Sequence, residues 1–312
     1  MKNLYLDQNV LGLIAEGKLT LKPKEPIRWV FSGEHLTEIA RGGVFEMLDV
    51  LRHLKAHRLV LQGDERGRIT DKWVIEPYSD PAGLYEEHKQ RQAGLPVDPS
   101  LFVGLIATIF GSQDRTLIES YPADIAEQVR RPLRQVPWLD ALLGDALEAA
   151  TRRTGEATIK QLSGVEPLEK RRKPLGLNKG RASGFEDSNN PLQRLWGHAN
   201  ENFPSPISAE QFFGFEPVGG IAESFGYKKW PAFLGISSCY HILNAIGFLP
   251  DKGLTKASRV AANSSDAHHV AYAAFCDGLI SADARMCKKA LAIYKYRGIG
   301  TGVLDVSNRL AG

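Results

Sequence analysis

Segments with strand and helix character alternate at both ends of this 312-residue chain, and an acid follows the apolar run at each end. The run at 3–6 stops at Asp7, and the run at 278–281 is followed by Asp283. Strands that alternate with helices are typical of a parallel sheet covered by helices. We therefore predict one α/β domain whose parallel sheet is shared between the two ends of the chain.

The middle of the chain has a different character. From 63 to 230 it is rich in glycine, proline and charge, with helical stretches between loops. We predict a domain formed by residues 1–62 and 231–312, which carries 63–230 as a large, mainly helical insertion that could recognise a substrate. With 43% apolar residues, the chain is long enough for a sizeable core.

Two further acids, Glu38 and Asp266, lie in helical segments that lead to the same region. Ser264 and Ser265 are predicted to cap a helix that begins at Asp266. An acid just past a buried strand costs free energy without a partner, and acids brought together repel each other unless a cation lies between them. Carboxylates are the ligands that Mg²⁺ and Mn²⁺ prefer, so the acids suggest a divalent metal site for phosphate chemistry.

The order of these motifs resembles that of the PIN-domain nucleases. It consists of LYLDQN at 4–9, Ser32 with Glu38 and Ile39, Asp266 with His269 and Ala273, and ISAD at 280–283. The resemblance covers the chain to about 61 and from 264 to 306, whereas compact family members have no counterpart of the long middle segment. It implies a PIN-like, flavodoxin-like three-layer fold. It also implies a set of catalytic acids that hold one or two Mg²⁺ or Mn²⁺ ions, namely Asp7, Glu38, Asp266 and Asp283.

Other polar residues are candidates for supporting these acids. Asn9 and Ser281 would orient the acids or bind phosphate, and His269 shares a helix face with Asp266 because it follows three residues later. Plainer roles remain open. Asp7 and Asp283 could simply cap helices, Asp266 could be a favourable charge near a helix start, and His269 could be structural. Glu34, one turn before Glu38, is an alternative ligand.

A run of basic residues in the middle segment suits a nucleic-acid backbone. It comprises Lys170, Arg171, Arg172 and Lys173. The alternative is a solvated loop, since most such runs are exposed. The net charge of +3 neither requires nor excludes a polyanionic partner.

These features predict a metal-dependent endoribonuclease that hydrolyses RNA phosphodiester bonds; RNA, as opposed to DNA, is implied by the resemblance alone. Bacterial relatives often act as toxins, so a toxin or defence nuclease with an antitoxin or regulatory protein as partner is plausible, and oligomerisation stays open. The alternatives are a structure-specific DNA nuclease of the flap-nuclease type, a catalytically degenerate RNA-binding PIN-like module and a small-molecule phosphatase.

The remaining composition predicts a cytoplasmic protein. The first apolar stretch is interrupted by Asp7, which is unlike a signal peptide, and no apolar run approaches the roughly 20 residues of a membrane span. Three cysteines without CxxC spacing argue against a disulfide framework and against a structural zinc site.

Overall fold

One sheet organises the fold in a computed structural model, which describes residues 1–22, 25–93, 102–178, 180–218, 226–227 and 229–307. Its strands are β1 (Lys2–Leu6), β2 (Ile27–Ser32), β3 (His57–Gly63), β4 (Ile69–Ile75), β5 (Gly278–Ser281) and β6 (Gly302–Asp305). Their order in the sheet is β4-β3-β2-β1-β5-β6, and every neighbouring pair is parallel except β3 with β4. The prediction of a parallel α/β sheet shared between the two ends of the chain is therefore confirmed.

The helices of the first half are α1 (Gln8–Ala15), α2 (Gly33–Gly42), α3 (Glu46–His53), α4 (Pro81–Ala93), α5 (Phe102–Ile109), α6 (Thr116–Glu119), α7 (Tyr121–Arg130), α8 (Pro137–Leu139) and α9 (Asp145–Leu162). Those of the second half are α10 (Leu168–Arg172), α11 (Pro191–Asn202), α12 (Ala209–Phe212), α13 (Ala232–Ile246), α14 (Ala257–Ala273) and α15 (Ala284–Arg297). A π-helical turn at Asp140–Gly144 and 3₁₀ turns at Leu133–Gln135 and Arg181–Phe185 complete the described helical segments.

Side chains alternate between the two faces of the sheet, as the pleat of a strand requires. On one face Tyr5 and Leu279 pack in a core with residues of α13, α14 and α15. On the other face Leu6 and Ile280 pack in a second core with residues of α1, α2 and α3. Apolar side chains on both faces explain why these strands read as continuous apolar runs, and they make the domain a three-layer α/β structure.

The chain forms two units, and their boundaries differ from those predicted for the insertion. As far as it is described, the first unit comprises Met1–Lys89, Arg172–Asp251 and Ser264–Gly312, and the second comprises Gln90–Arg171 and Lys252–Asn263. Much of the segment 63–230 thus belongs to the first unit. Part of the reason is β4, which follows β3 after a short turn and pairs with it in the sheet. The charged residues at 71 and 72 concealed the strand character of β4 in the sequence.

One predicted helix start is wrong. The helix expected to begin at Asp266 is the second half of α14, which begins at Ala257 and runs without a break. The hydroxyl of Ser265 does not cap a helix but donates a hydrogen bond to Glu34 Oε1 at 2.6 Å. Asp266 therefore lies in the middle of a helix, where it gains nothing from a helix start.

The second unit contains a close helix crossing. Helix α7 crosses α9 at Gly155, where a Cβ atom would lie only 2.8 Å from Pro122 Cα. Elsewhere along these two helices the Arg130 guanidinium bonds to Asp140 and Glu148, which ties the π-helical turn to both helices. None of the described helices is both long and apolar enough to span a bilayer.

Candidate functional site

Asp7 lies where the central strand β1 ends. Its side chain is only 1% exposed. Oδ2 accepts hydrogen bonds from Ser281 Oγ at 2.8 Å and from Asn9 Nδ2 at 3.1 Å. Oδ1 has no hydrogen-bond partner among the described residues. Ser281 and Asn9 thus hold one oxygen of a buried carboxylate and leave the other without a hydrogen bond.

The environment of Asp7 disfavours its negative charge. Burial raises the pKa of Asp7, and the nearby charge of Glu38 adds to the rise; His269 and the hydrogen bonds from Ser281 and Asn9 oppose it without cancelling it. A buried carboxylate with one unsatisfied oxygen is costly, and an additional cation would remove that cost.

His269 joins Glu38 to the residues at the end of β1. Its Nε2 lies 2.7 Å from Glu38 Oε2 and 4.0 Å from Asp7 Oδ1, while Nδ1 lies 2.8 Å from the Tyr5 hydroxyl. Burial alone would lower the pKa of His269, but the hydrogen bond and charge of Glu38, with the charge of Asp7, raise it to about 9. This raised pKa favours the imidazolium form at neutral pH, and both carboxylates lie on the Nε2 side of the ring.

Glu34, the alternative ligand, is fully engaged with helix α14. Its Oε1 accepts from Ser265 Oγ at 2.6 Å, and its Oε2 lies 2.8 Å from His268 Nδ1. Burial opposes ionisation of Glu34, but the hydrogen bond and charge of His268 outweigh it and lower the pKa to about 2. Glu34 and Glu38 therefore make two parallel carboxylate–histidine contacts between α2 and α14.

Asp266 and Asp283 complete the predicted quartet. Burial raises the pKa of Asp266 well above its usual range, and the charges of Asp7, Asp251 and Asp283 raise it further. Asp283 caps α15, because its Oδ1 accepts from Met286 N at 2.8 Å. The capping role considered from the sequence is thus present at Asp283, whose charge is one of those that raise the pKa of Asp266.

The quartet does not form a closed ligand cage. Within the described ranges, no three His, Cys, Asp or Glu side chains are already placed to hold a metal ion. The His269 imidazolium supplies a positive charge beside Asp7 and Glu38 instead. The features that fit a metal ion are the unpartnered Oδ1 of Asp7 and the burial of Asp266 near other acids, which together raise the pKa of Asp266. Metal binding by these residues stays a prediction.

A buried lysine near the acids was missed by the sequence reasoning. Lys289 is 0% exposed, and its Nζ donates to Asp251 Oδ1 at 2.6 Å and to Asn244 Oδ1 at 2.9 Å. The ammonium also lies 3.8 Å from the ring centroid of Tyr240. A signal existed: Lys289 falls on the same helical stripe as the apolar residues Met286 and Ile293.

The two arginines of the predicted basic run contact backbone carbonyls of the protein itself. Arg172 donates from Nε to Ala245 O at 2.7 Å and from Nη2 to Asn244 O at 3.0 Å, so it satisfies carbonyls at the end of α13. Arg171 donates to the carbonyl of Ile109. Lys170 lies 3.7 Å from Glu166, and Lys173 is exposed. A nucleic-acid contact by this run stays a prediction.

Comparison with protein-family models, curated proteins and solved structures found no match to this chain. The resemblance to PIN-domain nucleases therefore depends on the residues named above. The geometry adds that Asp7, Glu38 and His269 lie together beside the end of β1, and that Ser281 and Asn9 contact Asp7 directly.

We expect His269 to titrate near pH 9 when a chelator keeps the protein free of metal. Because this pKa lies above the unfolded value of about 6.5, the ion pair stabilises the fold fully below pH 6.5. That contribution is lost as the pH rises toward 9. The measurement is the ¹⁵N shift of the His269 ring across a pH titration. Glu38→Gln should lower the titration midpoint, and a neutral His269 at pH 7 in the unmodified protein would contradict this electrostatic picture.

The matched control for this titration is Glu210→Gln. Glu210 also forms an ion pair, at 2.7 Å from Arg297, but it does not contact the histidine. The His269 midpoint should be the same in this variant as in the unmodified protein. A shift of equal size in both variants would point to a general effect of removing one negative charge.

Proposed function

We propose that this protein is a metal-dependent endoribonuclease that hydrolyses phosphodiester bonds of RNA at the end of the central strands. The observation that carries the proposal is the buried Asp7 carboxylate, whose Oδ1 lacks a hydrogen-bond partner within the described part of the chain. Asp266 and Asp283 lie within electrostatic range of each other, and Asp7 raises the pKa of Asp266. Buried acids that repel each other are the expected setting for a bound cation.

The topology of the sheet supports this location. From β1 the chain proceeds to β2 and β3 on one side, whereas β5 and β6 lie on the other side of β1. Open α/β sheets bind ligands outside the carboxyl ends of the strands where the order reverses. That reversal lies between β1 and β5. Asp7 follows β1, and Asp283 follows β5 by two residues.

The residues that would hold one or two Mg²⁺ or Mn²⁺ ions are the acids of the quartet, Asp7, Glu38, Asp266 and Asp283. Such an ion supplies an activated water and neutralises the charge that develops on the phosphate. The protein's own part is orientation. Ser281 and Asn9 hold Oδ2 of Asp7, and the Asp283 carboxylate is held by the backbone amide of Met286.

His269 contributes a positive charge beside two acids of the quartet. When protonated, His269 donates from Nε2 to Glu38 Oε2, and Asp7 Oδ1 lies 4.0 Å away, so the charge of the ring offsets part of the repulsion between the two carboxylates. RNA as the substrate, a toxin or defence role, and an antitoxin or regulatory partner belong to the same proposal and rest on the resemblance to PIN-domain nucleases.

The test is a cleavage assay of the full chain with single-stranded RNA, structured RNA, single-stranded DNA and a DNA flap. We expect cleavage of RNA with Mg²⁺ or Mn²⁺ and none with EDTA. Asp283→Asn should slow cleavage about a hundredfold, a typical loss when one group that stabilises developing charge is removed. Cleavage that persists in EDTA, or that is unchanged by Asp283→Asn, would overturn the proposal.

The matched control is Asp277→Asn. Asp277 is an exposed acid at the opposite end of β5, where its carboxylate accepts from Asn3 N at 2.7 Å. The Asp277→Asn substitution should leave the rate of RNA cleavage unchanged. Cleavage of the flap alone would instead identify a structure-specific DNA nuclease, and RNA binding without cleavage would identify a degenerate binding module.

A further inference from the structure

A cleft lies beside the acids, against helix α1. Its volume is about 530 Å³, and its lining includes Gln8, Gly12, Leu13, Met47 and Asp283. Asn9, which holds the Asp7 carboxylate, also faces this cleft. Through Asp283 and Asn9 the cleft therefore adjoins the acids proposed to hold the metal ion. It is large enough for one planar aromatic ring system with part of its sugar.

One part of the lining of the cleft, formed by Met47, Leu13 and Gly12 and here called its floor, is apolar and adaptable. Met47 and Leu13 contribute its apolar surface, and Gly12 has no side chain to fill it. A Cβ atom at Gly12 would lie 3.3 Å from Met47 Cε, so even a methyl group there would press on the floor. Methionine side chains make favourable contacts with aromatic rings and adjust their shape to them. These properties favour a flat, uncharged ligand group.

Gln8 supplies polar groups that lack good partners. Its Nε2 donates to Met47 Sδ at 2.8 Å, and a thioether is a weak acceptor. Its Oε1 is buried and has no hydrogen-bond partner among the described residues. An unsatisfied amide oxygen costs free energy, and rotation of the amide toward a ligand that donates an N–H group would remove this cost. The missing partner is thus a hydrogen-bond donor.

The charges around the cleft show which part of a nucleic acid it can accept. Asp283 and Glu16 both line it, so a second phosphate group would be repelled there. Glu16 is partly neutralised by Lys18, whose Nζ lies 2.6 Å from its carboxylate. A nucleobase is neutral, has an apolar face and carries N–H donors on its pairing edge. Its apolar face suits the floor of the cleft, its N–H donors suit the unpaired oxygen of Gln8, and its neutrality suits the acidic residues Asp283 and Glu16.

We infer that this cleft is a binding subsite for one unpaired nucleobase of the substrate strand, with the face of the base on Met47 and Leu13 and an N–H group donated to Gln8. The inference rests on the proposed function, because it places the base next to the phosphate held near Asp7. It names single-stranded RNA with a splayed base as the substrate class, since a paired base has neither its face nor its edge free.

The experiment measures nucleoside binding by saturation-transfer NMR with the full chain in Mg²⁺. Nucleosides have no phosphodiester bond, so the readout does not depend on hydrolysis. Uridine should bind, and 3-methyluridine, which lacks the N3 proton, should bind about fivefold more weakly, as the loss of one hydrogen bond predicts. Gln8→Leu should weaken uridine binding by the same factor of about five, and this variant should bind uridine and 3-methyluridine with equal affinity. Gly12→Leu should abolish binding by filling the cleft.

The matched control is Gln193→Leu, at an exposed glutamine on α11, which should bind like the unmodified protein. Absence of uridine binding to the unmodified protein would overturn the inference. So would Gln8→Leu and Gly12→Leu variants that are folded by circular dichroism and bind uridine as tightly as the unmodified protein does. The two proposals fail separately. RNA cleavage without nucleoside binding removes only the base subsite, whereas nucleoside binding without RNA cleavage removes only the nuclease activity.

Discussion

Asp7→Asn is expected to reduce metal-stimulated RNA cleavage about a thousandfold, the upper range for loss of one group that stabilises developing charge. The substitution preserves the shape of the side chain. The remaining carbonyl oxygen can still accept from Ser281 and Asn9, which now hold Oδ2. What is lost is the negative charge at the oxygen that lacks a hydrogen bond. If that oxygen binds a cation, the amide cannot replace it, because its nitrogen is a donor.

The same change should not destabilise the fold. Burial raises the pKa of Asp7, which means that its ionised form is unfavourable in the folded protein. Asn removes this cost, so we expect the melting temperature of Asp7→Asn in EDTA to equal or exceed that of the unmodified protein. Loss of activity with retained stability is typical of a residue kept for function and not for folding.

Both quantities are measured on one preparation, as the initial cleavage rate with Mg²⁺ and the thermal midpoint in EDTA. Asp49→Asn is the matched control, since Asp49 is an exposed acid of α3 that pairs only with Arg52 among the contacts described. Its rate should be unchanged. A fully active Asp7→Asn variant would remove Asp7 from the catalytic set. A variant that unfolds would show that Asp7 is structural.

Lys289→Met is expected to destabilise the first unit by about 3–5 kcal/mol, the usual cost of leaving one member of a buried ion pair without its partner. Methionine matches the length of the lysine stem but carries no charge. Asp251 would then lose the ammonium that lies 2.6 Å from its Oδ1, while remaining largely buried. Asn244 and the Tyr240 ring would lose the same cation. The measurement is the free energy of unfolding of the variant and of the unmodified protein, from urea titrations followed by circular dichroism.

The companion variants separate the charge from the packing. Asp251→Asn together with Lys289→Met removes both charges, so the double variant should be more stable than Lys289→Met alone. Lys288→Met is the matched control, because the neighbouring lysine is exposed and its pair with Glu186 should contribute no more than about 1 kcal/mol. Equal losses for Lys288→Met and Lys289→Met would contradict the importance of the buried pair.

Local patterns were sufficient for most of the architecture. The strands ending at Leu6 and Ser281 and the capped helix after Ser32 follow from short runs of residue types. Such runs suffice because a strand with apolar side chains on both faces can be stable only inside a parallel sheet with helices on both sides. Strand β4 was missed because an edge strand has one partner and tolerates the charges of residues 71 and 72.

Contacts distant in sequence account for the rest of the site. Glu34 and Glu38 are one turn apart on the same face of α2, and in the sequence only the resemblance to PIN-domain nucleases favours Glu38. They differ because Glu34 meets His268 and Ser265, whereas Glu38 meets His269 beside Asp7. No pattern in the chain sets which acid meets which histidine, since that depends on how the side chains of α2 and α14 meet in the folded protein.

The identity of the acids, their order and the strands they follow can be read from the chain alone, because residue type and apolar periodicity are local properties. The unpaired oxygen of Asp7, the protonated state of His269 and the burial of Lys289 come only from the tertiary structure. Charge and hydrogen bonding at a buried site depend on the desolvation and the partners that packing brings together, and those partners lie more than 200 residues apart in the case of Asp7 and Ser281.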